Sequence, residues 1–263
     1  MNFILKIYTI LFARNIFFKI NRFLFKVSTR GLGIGNYSNH LISGEKHFIA
    51  SLVRSKKLNK GVIFDIGANK GDYSKFIRNN GVAIPIYAFE PHPITFKKLK
   101  DSTYNLNNFN AINKGLGIKK TISKIYDYKN NDGSQHASLY KDVIVKIHNS
   151  IASEVDIEII TIDGFVEENN ILDISLLKID TEGNELDVLL GATKTLEKGI
   201  ISIIQFEFNS MNVISRTYLI DFIKLMPNYK FFRLLPFELL PINDYNELYH
   251  ELFGFQNIVA LKK

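Results

Sequence analysis

From residue 45 to the end of the chain, short apolar runs alternate with amphipathic segments. The runs have strand length, and the segments between them repeat apolar residues at i, i+3 and i+4, which is typical of helices with one buried face. Strands that alternate with helices predict a mostly parallel sheet covered on both faces. The predicted strands span residues 62–65, 84–90, 109–116, 121–128, 155–162, 174–180, 200–208, 231–235 and 256–261.

The first 44 residues follow a different pattern. Residues 1–27 are rich in Ile, Leu and Phe, and Asn15, Lys19, Arg22 and Lys26 form one polar stripe on a predicted helix. Their longest uncharged run is far shorter than the roughly 20 residues that span a bilayer. Such a helix can lie in an anionic membrane interface, or it can pack on its own domain or on a partner subunit. Residues 28–44 contain four glycines and form a connector. The predicted division is therefore 1–44 and 45–263.

Charge and composition narrow the function classes. The chain carries a formal net charge of +7, and residues 1–44 hold six cations and no acid, so the rest of the chain is nearly neutral. A body that binds nucleic acid would usually show its own basic face, which makes a nucleic-acid partner unlikely. The absence of cysteine excludes disulfides, thiolate metal sites and cysteine nucleophiles.

The candidate chemistry begins where the first strand ends. Asp65, Gly67, Asn69 and Gly71 form a turn between that strand and a helix. Such a turn brings backbone close to a ligand and offers N–H groups at the helix N-terminus. A dinucleotide site requires a third glycine five residues after the first, where this chain has Asp72. The spacing therefore favours S-adenosylmethionine, which has no pyrophosphate.

A second acid supports this interpretation. Glu90 ends the next predicted strand, where a carboxylate can accept hydrogen bonds from both hydroxyls of a ribose. A third acid, Asp180, ends the strand over residues 174–180, at the same edge of a parallel sheet. The sequence thus predicts three carboxylates and a glycine turn around one ligand.

These motifs together resemble the FkbM family of S-adenosylmethionine-dependent methyltransferases. The resemblance rests on Asp65-Ile-Gly67-Ala-Asn69-Lys-Gly71, on Phe89-Glu90-Pro91 and on Lys178-Ile-Asp180-Thr-Glu182-Gly183-Asn-Glu185, and it covers about residues 60–263. It implies an α/β class I methyltransferase fold, a Rossmann-like three-layer sandwich. The sheet would be mostly parallel and seven-stranded, with the last strand antiparallel, and here it carries an N-terminal helical extension.

The resemblance also implies roles for individual residues. Asp65, Gly67, Asn69 and Gly71 would line the methionine end of the cofactor, and Glu90 would hold the ribose. Asn113 and Gly115 would lie near the adenine. Asp180, Glu182 and Gly183 would lie beside the methyl group that is transferred.

A hydroxyl acceptor needs a base or a metal ion to activate it. Asp180 is the first candidate, either as the base or, with Glu182, as a ligand of a divalent cation; Glu182 can alternatively cap the following helix. His92 and His136 are alternative bases in predicted turns, and Glu207 can bind substrate. No acid or histidine grouping has a recognisable metal-ligand spacing, so a dedicated metal cluster is unsupported.

We therefore expect an O-methyltransferase that acts on a hydroxyl of a glycan, a glycolipid or a related metabolite. Its expected location is the cytoplasm, with residues 1–27 at the inner membrane surface as one alternative. A nucleic-acid methyltransferase and a binding protein that keeps the fold without catalysis are the other hypotheses. The sequence does not determine the oligomeric state.

Overall fold

Eleven strands form two sheets in the computed structural model, which describes residues 2–37, 39, 42–129 and 137–263. The strands are β1 (Val62–Ile66), β2 (Ile86–Phe89), β3 (Phe109–Ile112), β4 (Gly115–Leu116), β5 (Thr121–Tyr128), β6 (Ala152–Ile160), β7 (Ile174–Ile179), β8 (Ile203–Phe208), β9 (Tyr229–Leu234), β10 (Leu239–Ile242) and β11 (Gln256–Lys262). Eight of them form the central sheet in the order β10-β9-β11-β8-β7-β1-β2-β3.

Strand direction in the central sheet confirms the predicted fold class. β3, β2, β1, β7 and β8 pair in parallel, and β11 runs antiparallel to both β8 and β9. The predicted sheet had seven strands, and the eighth is β10, which pairs with β9 at the edge. Pro241 lies inside β10; proline cannot donate to a strand ladder and is confined to edges, which is why this segment carries no clear strand signal.

Helices cover both faces of the central sheet. The helices of the described chain are α1 (Asn2–Phe12), α2 (Phe18–Gly31), α3 (Glu45–Arg54), α4 (Asp72–Asn79), α5 (Pro93–Thr103), α6 (Ile162–Glu168), α7 (Glu185–Leu190), α8 (Thr193–Glu197), α9 (Met211–Ser215), α10 (Leu219–Leu225) and α11 (Glu247–His250). Of these, α1 and α2 belong to the N-terminal extension and do not cover the sheet. A π-helical turn covers Val143–Ile147. The apolar pattern around Leu186–Leu196 predicted one helix, but α7 ends at Leu190 and α8 starts at Thr193.

The buried core has two layers, one on each face of the central sheet. On one face, Ile63 and Ile86 pack with Phe48 and Ile49 of α3 and with Ile77 of α4. On the other face, a larger cluster packs against α6, α7, α8 and α10; it includes Phe64, Ile66, Phe89, Phe165, Leu177, Val188, Leu196 and Phe222. Alternate residues of β1 therefore point to opposite layers, as the period of a strand requires.

The small sheet has the order β4-β6-β5 and lies outside the central one. The sequence predicted one strand over residues 109–116, but the chain leaves the central sheet after Ile112, and Gly115 and Leu116 pair with β6 instead. Ile125, Ile157 and Ile159 form an apolar cluster on this sheet. The small sheet thereby supplies an apolar wall beside the carboxyl ends of β1 and β2.

The N-terminal segment is two helices rather than the single helix predicted. α1 ends at Phe12, a short 3-10 turn spans Asn15–Phe17, and α2 follows at once. Tyr8 donates a hydrogen bond to Asn21, which in turn donates to the carbonyl of Phe12, so α1 and α2 are joined at their shared end. None of residues 3–31, all of which are described, is buried. Among the described residues, no helix has both the length and the apolar character that a bilayer crossing demands.

Candidate active site

Two cavities open at the edge of the central sheet where β1, β2 and β7 end, which is where open α/β sheets bind ligands. The first, here called the apolar cleft, encloses about 600 Å³ including space open to solvent. It is lined mainly by Phe89, Leu116, Ile125, Leu139, Ile157 and Ile159, with Glu90 among them. The second, here called the acidic cavity, encloses about 1480 Å³ including open solvent, and Tyr73, Glu45, Lys178 and Glu207 line it. Gly67, Asn69, Asp180 and Glu182 line both cavities.

The turn after β1 brings the backbone of two strands into contact. Gly67 has φ +74°, and a Cβ atom at this position would lie 1.7 Å from the carbonyl oxygen of Asp180. Only glycine fits there, because any side chain would overlap the backbone at the end of β7. The turn thus places Asp180 directly beside the glycine that both cavities share.

Glu90 brings a buried carboxyl group to the apolar cleft. Its carboxylate accepts hydrogen bonds from the backbone N–H groups of Asn69 at 3.0 Å and His92 at 2.9 Å. Burial raises the pKa of Glu90 to about 7, even though these two hydrogen bonds act to lower it. The side chain therefore both supports the glycine turn and presents a carboxyl group to the cleft.

Asp180 is held by a buried cation. Lys178 donates to Asp180 Oδ2 at 2.9 Å and lies over the ring of Tyr73, 5.2 Å from its centroid. Burial acts to lower the pKa of Lys178, but the charges of Asp180 and Asp65 outweigh it and raise the pKa above its ordinary value. Lys178 is thus a fixed positive charge that orients Asp180. It lies within the family motif, but the sequence alone assigned it no role.

The turn after β7 is stabilised by Glu185. The buried Glu185 carboxylate accepts from the backbone N–H groups of Thr181 and Gly183, at 3.0 and 3.1 Å. Burial raises the pKa of Glu185 to about 7. Glu182, which the sequence offered as a helix cap or a site residue, has φ +54° and lines both cavities. The sequence motif contains both Glu182 and Glu185, and nothing in it indicated which of the two would be buried in the turn.

Further polar side chains surround the acidic cavity. Tyr73 donates to Gln205 at 2.7 Å, and Gln205 donates to Glu45 at 3.3 Å, so α4, β8 and α3 are linked through one chain of hydrogen bonds. Glu207, at the end of β8, accepts from Asn209 at 3.3 Å. Burial, together with the nearby Asp180 and Glu182, raises the pKa of Glu207 well above its ordinary value. Glu207 therefore binds a proton more readily than an ordinary glutamate.

Five predicted site residues in the described chain line neither cavity. One of them is Gly183, whose backbone N–H donates to Glu185 in the turn after β7. Asp65 is fully buried beneath the turn after β1 and accepts from Ser74 at 2.6 Å. Gly71 begins α4, where it packs on Leu99 and Thr103 of α5. Asp65 and Gly71 shape the turn after β1 from behind, because the chain leaves the sheet edge between Asn69 and Gly71.

The other two are His92 and Asn113. His92 is buried, and its Nε2 lies 3.7 Å from Asp127, so it is placed behind Glu90 and away from both cavities. Asn113 donates to the carbonyls of Glu90 and Pro91 at 2.8 and 3.0 Å, and so holds the end of β2 in place. Gly115, two residues later, does line the apolar cleft. His136 lies outside the described residues.

The apolar cleft fits an adenosyl group. Its walls from β4, β5 and β6 are aliphatic and suit a flat base, and Glu90 offers carboxylate oxygens for ribose hydroxyls. A Cβ atom on Gly115 would lie 2.6 Å from Cδ1 of Ile159, so a larger residue here would displace that side chain. Among the described residues, no group of three or more Asp, Glu or His side chains is arranged to hold a metal ion.

Comparison with known proteins agrees with this geometry. The model of the methyltransferase FkbM domain matches residues 65–232, which is more than half of the chain. A relative from Beauveria bassiana, "Methyltransferase 1", is 27% identical over 144 residues, 49% of this chain and 57% of that protein. The hexuronic acid methyltransferase AglP of Haloferax volcanii is 26% identical over 158 residues, 59% of each chain. The chain thus matches less than two thirds of the length of both relatives.

Solved methyltransferase structures are also similar. An O-methyltransferase from Bacillus cereus in complex with SAH is 11% identical, with a TM-score of 0.40 over 98% of this chain and 96% of that one. A precorrin-6y C5,15-methyltransferase from Geobacter metallireducens is 13% identical, with a TM-score of 0.40 over 80% of this chain and 86% of that one.

Proposed function

The chain belongs to the FkbM methyltransferase family, and we propose that it transfers a methyl group from S-adenosylmethionine to a hydroxyl oxygen of a glycan, a glycolipid or a related metabolite. One observation carries this proposal. The apolar cleft and the acidic cavity share the wall formed by Gly67, Asn69, Asp180 and Glu182. An adenosyl group in the cleft and an acceptor in the cavity would therefore meet beside Asp180.

On the cofactor side, Glu90 would accept the ribose hydroxyls, and the aliphatic residues of the cleft would cover the base. When bound, S-adenosylmethionine supplies an electrophilic methyl group on a cationic sulfonium. The backbone at Gly67 and Asn69 would lie against the methionine end. The carboxylates of Asp180 and Glu182 at the shared wall suit a ligand that carries positive charge at this point.

On the acceptor side, the protein must align the hydroxyl, exclude water and remove a proton. We assign proton removal to Asp180, because it lies in the shared wall and Lys178 fixes its orientation. Glu207 lines only the acidic cavity, and its raised pKa suits a group that donates a hydrogen bond to the acceptor. Substitution of Asp180 should therefore lower kcat, and substitution of Glu207 should mainly raise KM.

The charges of the acidic cavity favour an uncharged, hydroxyl-rich acceptor. Glu45, Asp72, Asp180 and Glu182 line it, against the cations Lys70 and Lys178, so carboxylates outnumber cations even with Glu207 protonated. A carboxylate directed into this cavity would be repelled. The hexuronic acid methyltransferase AglP, 26% identical, supports a sugar acceptor. A hexuronic acid itself carries a carboxylate, so the preference for a neutral acceptor rests on the charges of this cavity alone. We therefore propose that the reacting part of the acceptor is a neutral sugar-type hydroxyl.

The test is methyl transfer from radiolabelled S-adenosylmethionine into separated lipid, glycan and RNA fractions of host cells. The wild type should label the glycan or glycolipid fraction. Asp180→Asn should reduce the rate by about a hundredfold or more, the usual contribution of a general base, while the cofactor still binds. Asp101→Asn, at an exposed position of α5, is the matched control and should keep full activity.

Each contrary outcome rejects a stated part of the proposal. Label found mainly in RNA would favour a nucleic-acid methyltransferase. Equal rates for the wild type and Asp180→Asn would remove Asp180 from the reaction. Absence of cofactor binding by the folded wild type would favour a binding protein that keeps the fold without catalysis.

A further inference from the structure

The N-terminal helix pair, residues 3–31, carries a surface that the proposed methyl transfer does not use. On α2, Ile20, Phe23, Leu24 and Val27 recur at i, i+3, i+4 and i+7 and form one apolar face. Between 46% and 63% of each of these side chains is exposed. Exposed apolar residues that are scattered singly are ordinary, but these four form a continuous patch along one helix face. Such patches mark interaction sites.

A basic stripe runs beside the apolar face. Lys19, Arg22, Lys26 and Arg30 follow at i, i+3, i+7 and i+11 along the same helix, so they flank the face on one side. Residues 1–44 contain six cations and no acidic residue. A helix with an apolar face, flanking cations and no acids is typical of helices that lie in the plane of an anionic membrane.

α1 extends the apolar surface. Phe3, Ile4, Ile10 and Leu11 are each at least half exposed, and Lys6 is the only charged residue of this helix. The helix has 11 residues and is about 16 Å long, roughly half the thickness of a bilayer core. It can therefore enter one leaflet but not cross the membrane.

Charge decides between a membrane and a second copy of the chain. A second copy that packed through the same helix pair would bring another six cations against the first six, with no acid in either segment to pair with them. Anionic lipid head groups supply the missing negative charge. The helix pair is also not packed on its own body, because none of residues 3–31 is buried. We infer that residues 3–31 bind the interface of an anionic membrane.

The connector ties this segment to the acidic cavity. The backbone N–H of Gly35 donates to the carbonyl of Phe255 at 2.7 Å, and the ring of Tyr37 lies against that of Phe255. Tyr37, Asn39 and Ser43 all line the acidic cavity. Tyr37 is only six residues after the end of α2, a span of about 20 Å at most. Membrane binding by the helix pair therefore holds the mouth of the acidic cavity near the lipid head groups.

Flotation of the full chain with vesicles tests the inference without any turnover. The wild type should float with vesicles of phosphatidylcholine and phosphatidylglycerol and not with phosphatidylcholine alone. Lys19→Gln/Arg22→Gln/Lys26→Gln should weaken binding on the order of a hundredfold. Its matched control removes three exposed cations of the body, Lys97→Gln/Lys100→Gln/Lys119→Gln, and should float like the wild type.

The apolar face is tested in the same way. Phe23→Ser/Leu24→Ser should abolish flotation, and Ile122→Ser/Leu172→Ser, at exposed positions of the body, should not. Circular dichroism of each variant checks that it is folded. Failure of the wild type to float, equal binding to neutral and anionic vesicles, or full binding by either helix-pair variant would overturn the inference. A dimer in sedimentation that Phe23→Ser/Leu24→Ser dissociates, without vesicle binding, would show that a second copy covers this face.

Discussion

Among single residues, the buried Glu90 gives cofactor binding a pH dependence. Burial raises its pKa to about 7, so the carboxyl is ionised above that pH and protonated below it. Ribose hydroxyls donate to the ionised form. Affinity for S-adenosylmethionine should therefore be constant well above pH 7 and fall up to about tenfold per unit as the pH drops below 7. Calorimetric titration of the wild type and Glu90→Gln at several pH values measures this.

The control for this experiment is Glu168→Gln, at an exposed position of α6. It should reproduce the wild-type pH profile. Glu90→Gln should bind about ten- to a hundredfold more weakly at pH 8, the usual effect of losing a charged hydrogen-bond acceptor. Its affinity should change little with pH. A wild type whose affinity is the same at pH 6 and pH 8 would contradict the assignment of Glu90 to the ribose.

Glu185 should make stability depend on pH. Burial raises its pKa to about 7 in the folded protein from about 4.5 in the unfolded chain. The folded state therefore binds the proton more tightly, and the stabilisation is complete below pH 4.5 and lost as the pH rises to 7. Between pH 4.5 and pH 7, the free energy of unfolding of the wild type should fall by about 3 kcal/mol more than that of Glu185→Gln. Urea unfolding at pH 4.5, 6 and 8 measures the difference; parallel pH profiles would show that Glu185 is not the group that titrates.

How well the sequence identified residues depended on the backbone around them. Gly67, Glu90 and Asp180 directly follow strands of one parallel sheet, and the ends of such strands meet at one edge, so the motif alone placed them side by side there. His92 was considered for its chemistry, but the turn after β2 directs it inward toward Asp127. The partners of a buried side chain depend on long-range packing that a local pattern does not contain.

At the scale of elements, the turn after β1 is the feature on which both cavities depend. Gly67→Ala should lower the free energy of unfolding by at least about 3 kcal/mol, because the new Cβ overlaps the Asp180 carbonyl and positive φ adds strain. Gly81→Ala is the matched control, since Gly81 has φ +82° but an open environment. It should lose only about 1–2 kcal/mol. Equal losses in the two variants would contradict the close contact at Gly67.

Strands and helices with a regular spacing of apolar residues were predicted well, and the breaks between them were not. Strand β5 has the predicted bounds, and β7 differs by one residue at its end. The split between α7 and α8 was missed because the leucine period continues through Gly191. α7 ends just before this residue, and only glycine fits there, because a Cβ on Gly191 would lie 2.0 Å from the carbonyl oxygen of Gly117. That contact joins segments far apart in the chain.

At the scale of the whole molecule, the cavities and the excess positive charge lie in different parts of the chain. The central sheet, with antiparallel β11 beside β8, builds the two cavities from a nearly neutral body. The cations that raise the net charge are concentrated in the exposed helix pair. The charge asymmetry was evident from sequence, whereas the separate small sheet and its wall of the apolar cleft required the fold.

We propose that the apolar cleft and the wall at Asp180 together hold one adenosyl ligand. A crystal structure of the full chain grown with S-adenosylhomocysteine tests it most directly. We expect the ribose on the Glu90 carboxylate, the adenine among Leu116, Ile157 and Ile159, and the sulfur beside Gly67 and Asp180. The ligand bound at another place, or absent from the cleft at a saturating concentration, would contradict the account.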